Sequence, residues 1–368
     1  MRQPLRIVVS GYYGCGNLGD EAVLAGILYS FRVRRPDMPT EFTVLSANPA
    51  VTRRVHGVNA IPRMGPAALW RSIKECRLLI SGGGSLFQDV TSLRSLLYYA
   101  MVPHFAFRLK RPVMLYAQGV GPLRRPIAQR IVRGVANRAA VVSVRDEASA
   151  ELLRQIGVRR AVEVTADPAF ALPVGDAGPL MREFGLERGA LLGFALRPWP
   201  AQVVPVSAFA RMVEVAAQWA SAHPVFIPLH PPGDLELAEH IARASQLPVT
   251  LIRRRMAPQE GIALIAQMKA LAAMRLHALI FAAMAGVPSV TLAYDPKVEA
   301  MAKRLEQNER CLPLRGFDAD AAGRLLADAA LQSENIKGGL RERAAELARQ
   351  SLRNVDLAFE AASLAAGV

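Results

Sequence analysis

Short apolar runs alternate with helical patterns along the first half of the chain. Runs at Leu5–Ser10, Phe42–Leu45, Leu78–Ser81, Val113–Gln118, Ala139–Ser143 and Val162–Thr165 read as strands, and several end in glycine or polar residues, which is turn chemistry. Strands alternating with helices predict a parallel sheet covered on both faces. Asp167 to Pro179, rich in Pro, Gly and Ala, reads as an interdomain linker. A second alternation follows, with strands at Leu191–Leu196, Pro224–Leu229, Val249–Ile252, Ala270–Met274 and Ser289–Ala293. Helices are expected between them near Val206–Ala222, Leu235–Ala244 and Pro258–Met268. From Asp318 to Val368 the pattern is helical and charged on one face. The expectation is two doubly wound α/β domains, 1–172 and 173–317, facing a cleft, with C-terminal helices 318–368 crossing back to the first. Ligands of such sheets bind at the carboxyl ends of the strands.

Composition narrows the partners. The chain has 368 residues, enough for two domains with sizeable cores, and 52% hydrophobic content. The apolar stretch Leu276–Val290 is too short for a membrane span and is interrupted by Gly286 and Pro288. The N-terminus runs straight into a strand without a small-residue cleavage site, so no signal peptide is expected. Cys15, Cys76 and Cys311 lack metal-type spacing and read as reduced thiols of a cytoplasmic protein. The net charge of +14 favours anionic partners. No nucleic-acid-binding module is legible. Arg124, Arg125, Arg130, Arg133 and Arg138 share one predicted helix, as a solvated face or as a contact for acidic lipid headgroups or a lipid-linked phosphate.

The candidate chemistry sits where predicted strands end. In GYYGCGNLGD, Gly14, Gly16 and Gly19 fit the dinucleotide fingerprint between a strand and a helix. Asp20 and Glu21, however, put two carboxylates where a diphosphate must lie, and the second strand ends in Ser46-Ala47-Asn48 without an acid for a ribose. A nicotinamide or flavin site is therefore not expected; Asn17 and Asp20 suit a hydroxylated substrate instead. Gly82, Gly83 and Gly84 follow the next strand, where a plain turn needs only one glycine, and Gln118 ends another with a hydrogen-bonding side chain. In the second half, Arg275 ends a strand and His277 lies in the first turn of the helix that follows. Arg197 and Lys297 end two further strands, Arg197 being open to an interdomain salt bridge and Lys297 following an expected Asp295 cap. His230, at another strand end, reads as structural.

The ordered set GYYGCGNLGDE, LLISGGGSLFQD, YAQGVGP, SVRDEASAELLRQIGV, VTADPAFAL, RLHALIFAAMAGVPSV and AYDPKV resembles the polysaccharide pyruvyl transferase family, from residue 5 to about 310. It is most similar to the CsaB-type members that act on bacterial cell-wall polymers. The resemblance implies a GT-B-like pair of Rossmann-like domains. It also implies transfer of a pyruvyl group from phosphoenolpyruvate to a sugar diol as a cyclic ketal. It carries donor contacts onto Arg197, Arg275, Leu276 and His277; Lys297 joins them as a neighbouring cation. Phosphoenolpyruvate has a phosphate and a carboxylate, which suit the arginine fork, and its proton transfers suit an imidazole. Asn17, Asp20, Gly82, Gly83, Gly84 and Gln118 are expected to hold the acceptor, a sugar or lipid-linked oligosaccharide. No metal or other cofactor is expected, nor any nucleic acid; peripheral contact with an anionic inner membrane face is. A GT-B glycosyltransferase using a nucleotide sugar is the alternative, and a non-catalytic sugar- or lipid-phosphate-binding protein the third reading.

Overall fold

The computed structural model describes residues 4–90, 92–199 and 204–364. Among these, residues 4–15, 20–172 and 347–364 form one compact unit, and 16–19 with 173–346 form a second.

In the first unit, strands β1 (Leu5–Tyr13), β2 (Thr40–Ser46), β3 (Asn59–Pro62), β4 (Leu78–Gly82), β5 (Val113–Gln118), β6 (Val141–Val144) and β7 (Val162–Val164) form one sheet. All pairings are parallel, in the order β3-β2-β1-β4-β5-β6-β7. Helices α1 (Leu18–Arg34), α2 (Pro49–His56), α3 (Pro66–Glu75), α4 (Leu93–Arg108), α5 (Pro126–Arg138) and α6 (Glu147–Gln155) alternate with the strands. β4 and β5 are buried along their whole length because both sheet faces are covered. Their side chains alternate between two cores. Leu79 and Leu115 meet α3, α4 and α5 on one face; Ile80 and Met114 meet Val23 and Ile27 of α1 and Val355 and Ala358 on the other.

The second unit repeats the scheme with β8 (Leu191–Ala195), β9 (His223–Phe226), β10 (Thr250–Leu251), β11 (Ala270–Ala273), β12 (Ser289–Ala293) and β13 (Cys311–Pro313). These strands are parallel in the order β10-β9-β8-β11-β12-β13. Its helices are α7 (Gly178–Glu183), α8 (Val206–Ala220), α9 (Gly233–Ala244), α10 (Pro258–Ile265), α11 (Leu276–Ala285), α12 (Pro296–Arg304) and α13 (Ala319–Leu331). α14 (Ser333–Ser363) gives its first turns to the second unit and residues from Leu347 onward to the first. There Asn354 is fully buried, accepting from Ser143 Oγ at 2.6 Å and donating through Nδ2 to Thr165 Oγ1 at 3.0 Å.

Three expectations need correction. The segment read as a linker begins inside the first unit. Pro168–Ala171 is a buried 3-10 turn, and Asp167 pairs with Arg145 at 2.9 Å, both side chains almost wholly enclosed. Gly26 of α1 admits this turn, since a Cβ there would lie 2.1 Å from the Pro168 carbonyl oxygen. β3 and β13 have no counterpart in the apolar pattern. Both are edge strands of three or four residues ending in proline, so neither needs an apolar run. The helix expected over Pro258–Met268 stops at Ile265.

Candidate functional site

Each sheet reverses its strand order once, between β1 and β4 in the first unit and between β8 and β11 in the second. The crevice outside such a switch point is where doubly wound sheets bind ligands. The loops after β1 and β4 are the two glycine-rich segments; those after β8 and β11 carry Arg197 and Arg275.

In the first unit, Gly14 has φ +73° and its amide donates to Glu21 Oε1 at 2.8 Å. The second Glu21 oxygen meets His56 Nε2, also at 2.8 Å. The protein's own carboxylate thus occupies an amide of the loop that a diphosphate would need. Gly83 and Gly84 both adopt positive φ, +61° and +78°. A Cβ on Gly83 would lie 1.8 Å from Val23 Cγ1, and one on Gly84 2.9 Å from Asp20 Oδ1. The turn therefore requires at least two of its three glycines for shape alone, more than the single one expected from the sequence. Gly82 is held by Tyr13, whose hydroxyl donates to its carbonyl at 2.7 Å; burial pushes that phenol well up, so it stays protonated. Asp20 and the Gly82–Gly84 loop come together. Gln118 lies beneath them, fully buried, with Nε2 donating to Ser81 O at 2.8 Å and Oε1 enclosed without a hydrogen-bond partner among the described residues. Ser85, closing the loop, accepts from Arg145 Nη2 at 2.9 Å.

In the second unit, Arg275 precedes α11 and forks onto Asp234. Nε and Nη2 each donate to a carboxylate oxygen at 2.5 Å. The Arg275 side chain is 11% exposed and that of Asp234 1%. Asp234 Oδ2 also accepts from the amides of Leu229 and His230, at 3.2 and 3.0 Å, tying the end of the β9 loop to the end of β11. Arg197 is partnered differently. Nη1 donates to the Tyr294 hydroxyl at 3.0 Å, and the guanidinium lies 5.1 Å from both the Trp199 and Tyr294 ring centroids. Its Nε is buried with no hydrogen-bond partner among the described residues. Burial raises the Tyr294 phenol despite the nearby arginine, so Arg197 faces a neutral hydroxyl rather than a carboxylate. Lys297, in the first turn of α12, has Nζ 3.4 Å from Asp295 Oδ2, and Asp295 caps that helix. Leu276 is buried at the start of α11. His277 follows it, and Gly19, one of the four loop residues grouped with this unit, lies against its imidazole. A Cβ on Gly19 would sit 2.2 Å from Nδ1. Asn17 shapes the same loop, accepting from the Gly19 amide at 3.1 Å. Among the described residues no cluster of His, Cys, Asp or Glu could hold a metal ion.

Asp234, the Arg145–Asp167 pair and the partners of Glu21 escaped the sequence reading. The only signal for Asp234 was an acid just after His230-Pro231-Pro232-Gly233, in the first turn of the next helix. Its partner lies 41 residues away.

Two parallel-sheet α/β units of this kind define the GT-B glycosyltransferase fold, and solved structures agree. HepE from Anabaena, in complex with UDP, is 14% identical over 99% of this chain and 100% of that one, with a TM-score of 0.61. A putative UDP-N-acetylglucosamine 2-epimerase from Listeria monocytogenes is 12% identical over 94% and 91% of the two chains, with a TM-score of 0.62. UGT2 from Phytolacca americana is 12% identical over 98% and 100%, with a TM-score of 0.57. Likeness at these identities is one of fold. No curated protein sequence matches the chain. The family model described as polysaccharide pyruvyl transferase matches residues 17–296, and the chain belongs to that family.

Proposed function

We propose that the protein transfers a pyruvyl group from phosphoenolpyruvate to two hydroxyls of one sugar in a lipid-linked cell-wall polysaccharide precursor, in the manner of CsaB-type enzymes. The observation that carries this reading is Arg197: a cation with a neutral phenol for a partner and a buried Nε–H with none among the described residues. Arg275 and Lys297 both face carboxylates, so Arg197 supplies most of the uncompensated charge. An anionic donor satisfies the buried N–H and the charge together. Arg275, locked by Asp234, presents Nη1 in a fixed direction, and Leu276 seats the helix turn that carries His277.

In the reaction, the methylene carbon of phosphoenolpyruvate takes a proton, with His277 as the acid, and C2 becomes oxocarbenium-like. One sugar hydroxyl adds to C2, the C2–O bond to phosphate breaks, and the second hydroxyl closes the ketal. One hydroxyl proton replaces that given to the methylene; the other leaves with phosphate. Asn17, Asp20, the Gly82–Gly84 loop and Gln118 are assigned to the acceptor, Gln118 by supporting the loop from below. Phosphoenolpyruvate is made in the cytoplasm, where we place the enzyme.

The test is thermal unfolding with phosphoenolpyruvate beside a UDP-sugar. Phosphoenolpyruvate at 100 times its Kd stabilises by about 2.7 kcal/mol in the wild type and not in Arg197→Gln. His277→Ala folds, binds the donor and releases no phosphate. A shift with the UDP-sugar alone makes the protein a glycosyltransferase.

A further inference from the structure

Between Asp89 and Asp146 the chain has ten Lys or Arg and not one Asp or Glu, so this run carries +10 of the net +14. The remainder of the protein is close to neutral. The run contains α4 and α5, which pack side by side on one face of the first sheet. Asp89 is itself turned inward, its carboxylate accepting from the Arg124 and Arg125 amides at 2.9 and 2.7 Å. That fixes the entry to α5 and leaves both arginine side chains exposed. Acids return on the flanking helices, with Glu75 on α3 and Glu147 and Glu151 on α6, and these bound the patch.

The same surface exposes apolar side chains. The outward stripe of α4 reads Arg94, Leu97, Met101, His104, Arg108, at helical spacing, with an apolar middle and basic ends. Leu97 is 46% exposed, Met101 40%, Ile127 at the start of α5 48%, and Val90 43%. Four of the twelve exposed large apolar side chains among the described residues thus lie in the acid-free run.

We infer that the α4–α5 face docks on an anionic lipid bilayer, with the arginines at the headgroups and Leu97, Met101 and Ile127 entering the boundary below them. A soluble polyanion, such as nucleic acid or a charged polymer, also attracts the arginines, but it offers hydrated phosphates to the apolar side chains, which gain nothing there. A bilayer satisfies both, and stable peripheral binding takes two such signals. No helix among the described residues is long and apolar enough to cross a membrane, so the contact is a peripheral one.

The experiment is co-sedimentation of the full chain with phosphatidylcholine vesicles and with equimolar phosphatidylcholine–phosphatidylglycerol vesicles, across a salt series. Binding is expected only to the anionic vesicles and weakens with salt. Arg94→Gln and Arg130→Gln each lower the partition coefficient about fivefold, since a basic side chain near an anionic surface contributes about 1 kcal/mol. Leu97→Ser with Met101→Ser lowers it by about tenfold or more. These residues are exposed, so the melting temperature should not move. In a separate variant, Leu97→Trp emission shifts to the blue on binding. Absence of binding, equal binding to neutral vesicles, or anionic binding untouched by the serine pair and displaced by heparin would each overturn the proposal, the last reassigning the face to a soluble polyanion.

Discussion

Asp234→Asn tests the geometry of the second unit most directly. The substitution keeps the shape of the side chain but removes its charge and turns one of the two oxygens facing Arg275 into a donor. One of the 2.5 Å contacts becomes a clash between donors, and a guanidinium that is 11% exposed loses its compensating charge. Removing one partner of a buried pair costs about 3–5 kcal/mol. The remaining oxygen can still accept from Arg275 or from the Leu229 and His230 amides, which argues for the lower end. For a unit of this size each kcal/mol moves the melting temperature by about 2–4 °C, so a fall of about 6–12 °C is expected in the transition of the second unit. The assay is scanning calorimetry, with and without phosphoenolpyruvate. Asp234→Asn should also lose most of the phosphoenolpyruvate-induced shift, because Arg275 is no longer aimed. Asp234→Glu, which keeps the charge, should recover part of the stability and little of the binding. A melting temperature for Asp234→Asn within about 1 °C of wild type would refute the claim that this pair organises the unit.

Other outcomes follow from single residues. Gly19→Ala brings a methyl to 2.2 Å from His277 Nδ1 and 2.9 Å from its Cβ, so the imidazole must turn away. Turnover should fall nearly as far as in His277→Ala, at a stability cost of about 1–3 kcal/mol, and a wild-type kcat would show that His277 tolerates displacement. Asn354→Ala removes the polar anchor of α14 in the first unit. Ser143 and Thr165 keep their bonds to the Leu115 and Val144 carbonyls, so the loss should be about 1–2 kcal/mol in urea unfolding, with exchange of the 350–360 amides accelerated. His223 is held below its ordinary value of 6.5 by burial, with Nε2 at 2.8 Å from Thr250 Oγ1. The unfolded chain then binds the proton more readily, and the second unit loses stability as pH falls below 6.5. His223→Gln should flatten that slope in melting temperatures taken across the range, and an unchanged slope would place the acid sensitivity elsewhere.

The apolar runs by themselves determined every strand of the two sheets except β3 and β13. Central strands of a parallel sheet are buried on both faces and must be continuously apolar, so β5 and β12 stand where their runs predict. Edge strands carry no such demand, which is why β3 and β13 left no trace. Glycine runs and strand-end cations were equally legible, since turn chemistry and charge are local properties. Strand order is not local. Nothing in the sequence says that β1 lies beside β4, or β8 beside β11, yet those pairings make the switch points and bring Arg197 and Arg275 to one edge. The partners of the site cations were hidden for the same reason. Asp234 meets Arg275 across 41 residues, and Asp167 meets Arg145 across 22, because a buried charge takes its compensation from whichever element packs against it. Residue type and spacing decided where chemistry could occur; only the packing of distant strands decided which of those cations meets a carboxylate and which a neutral hydroxyl.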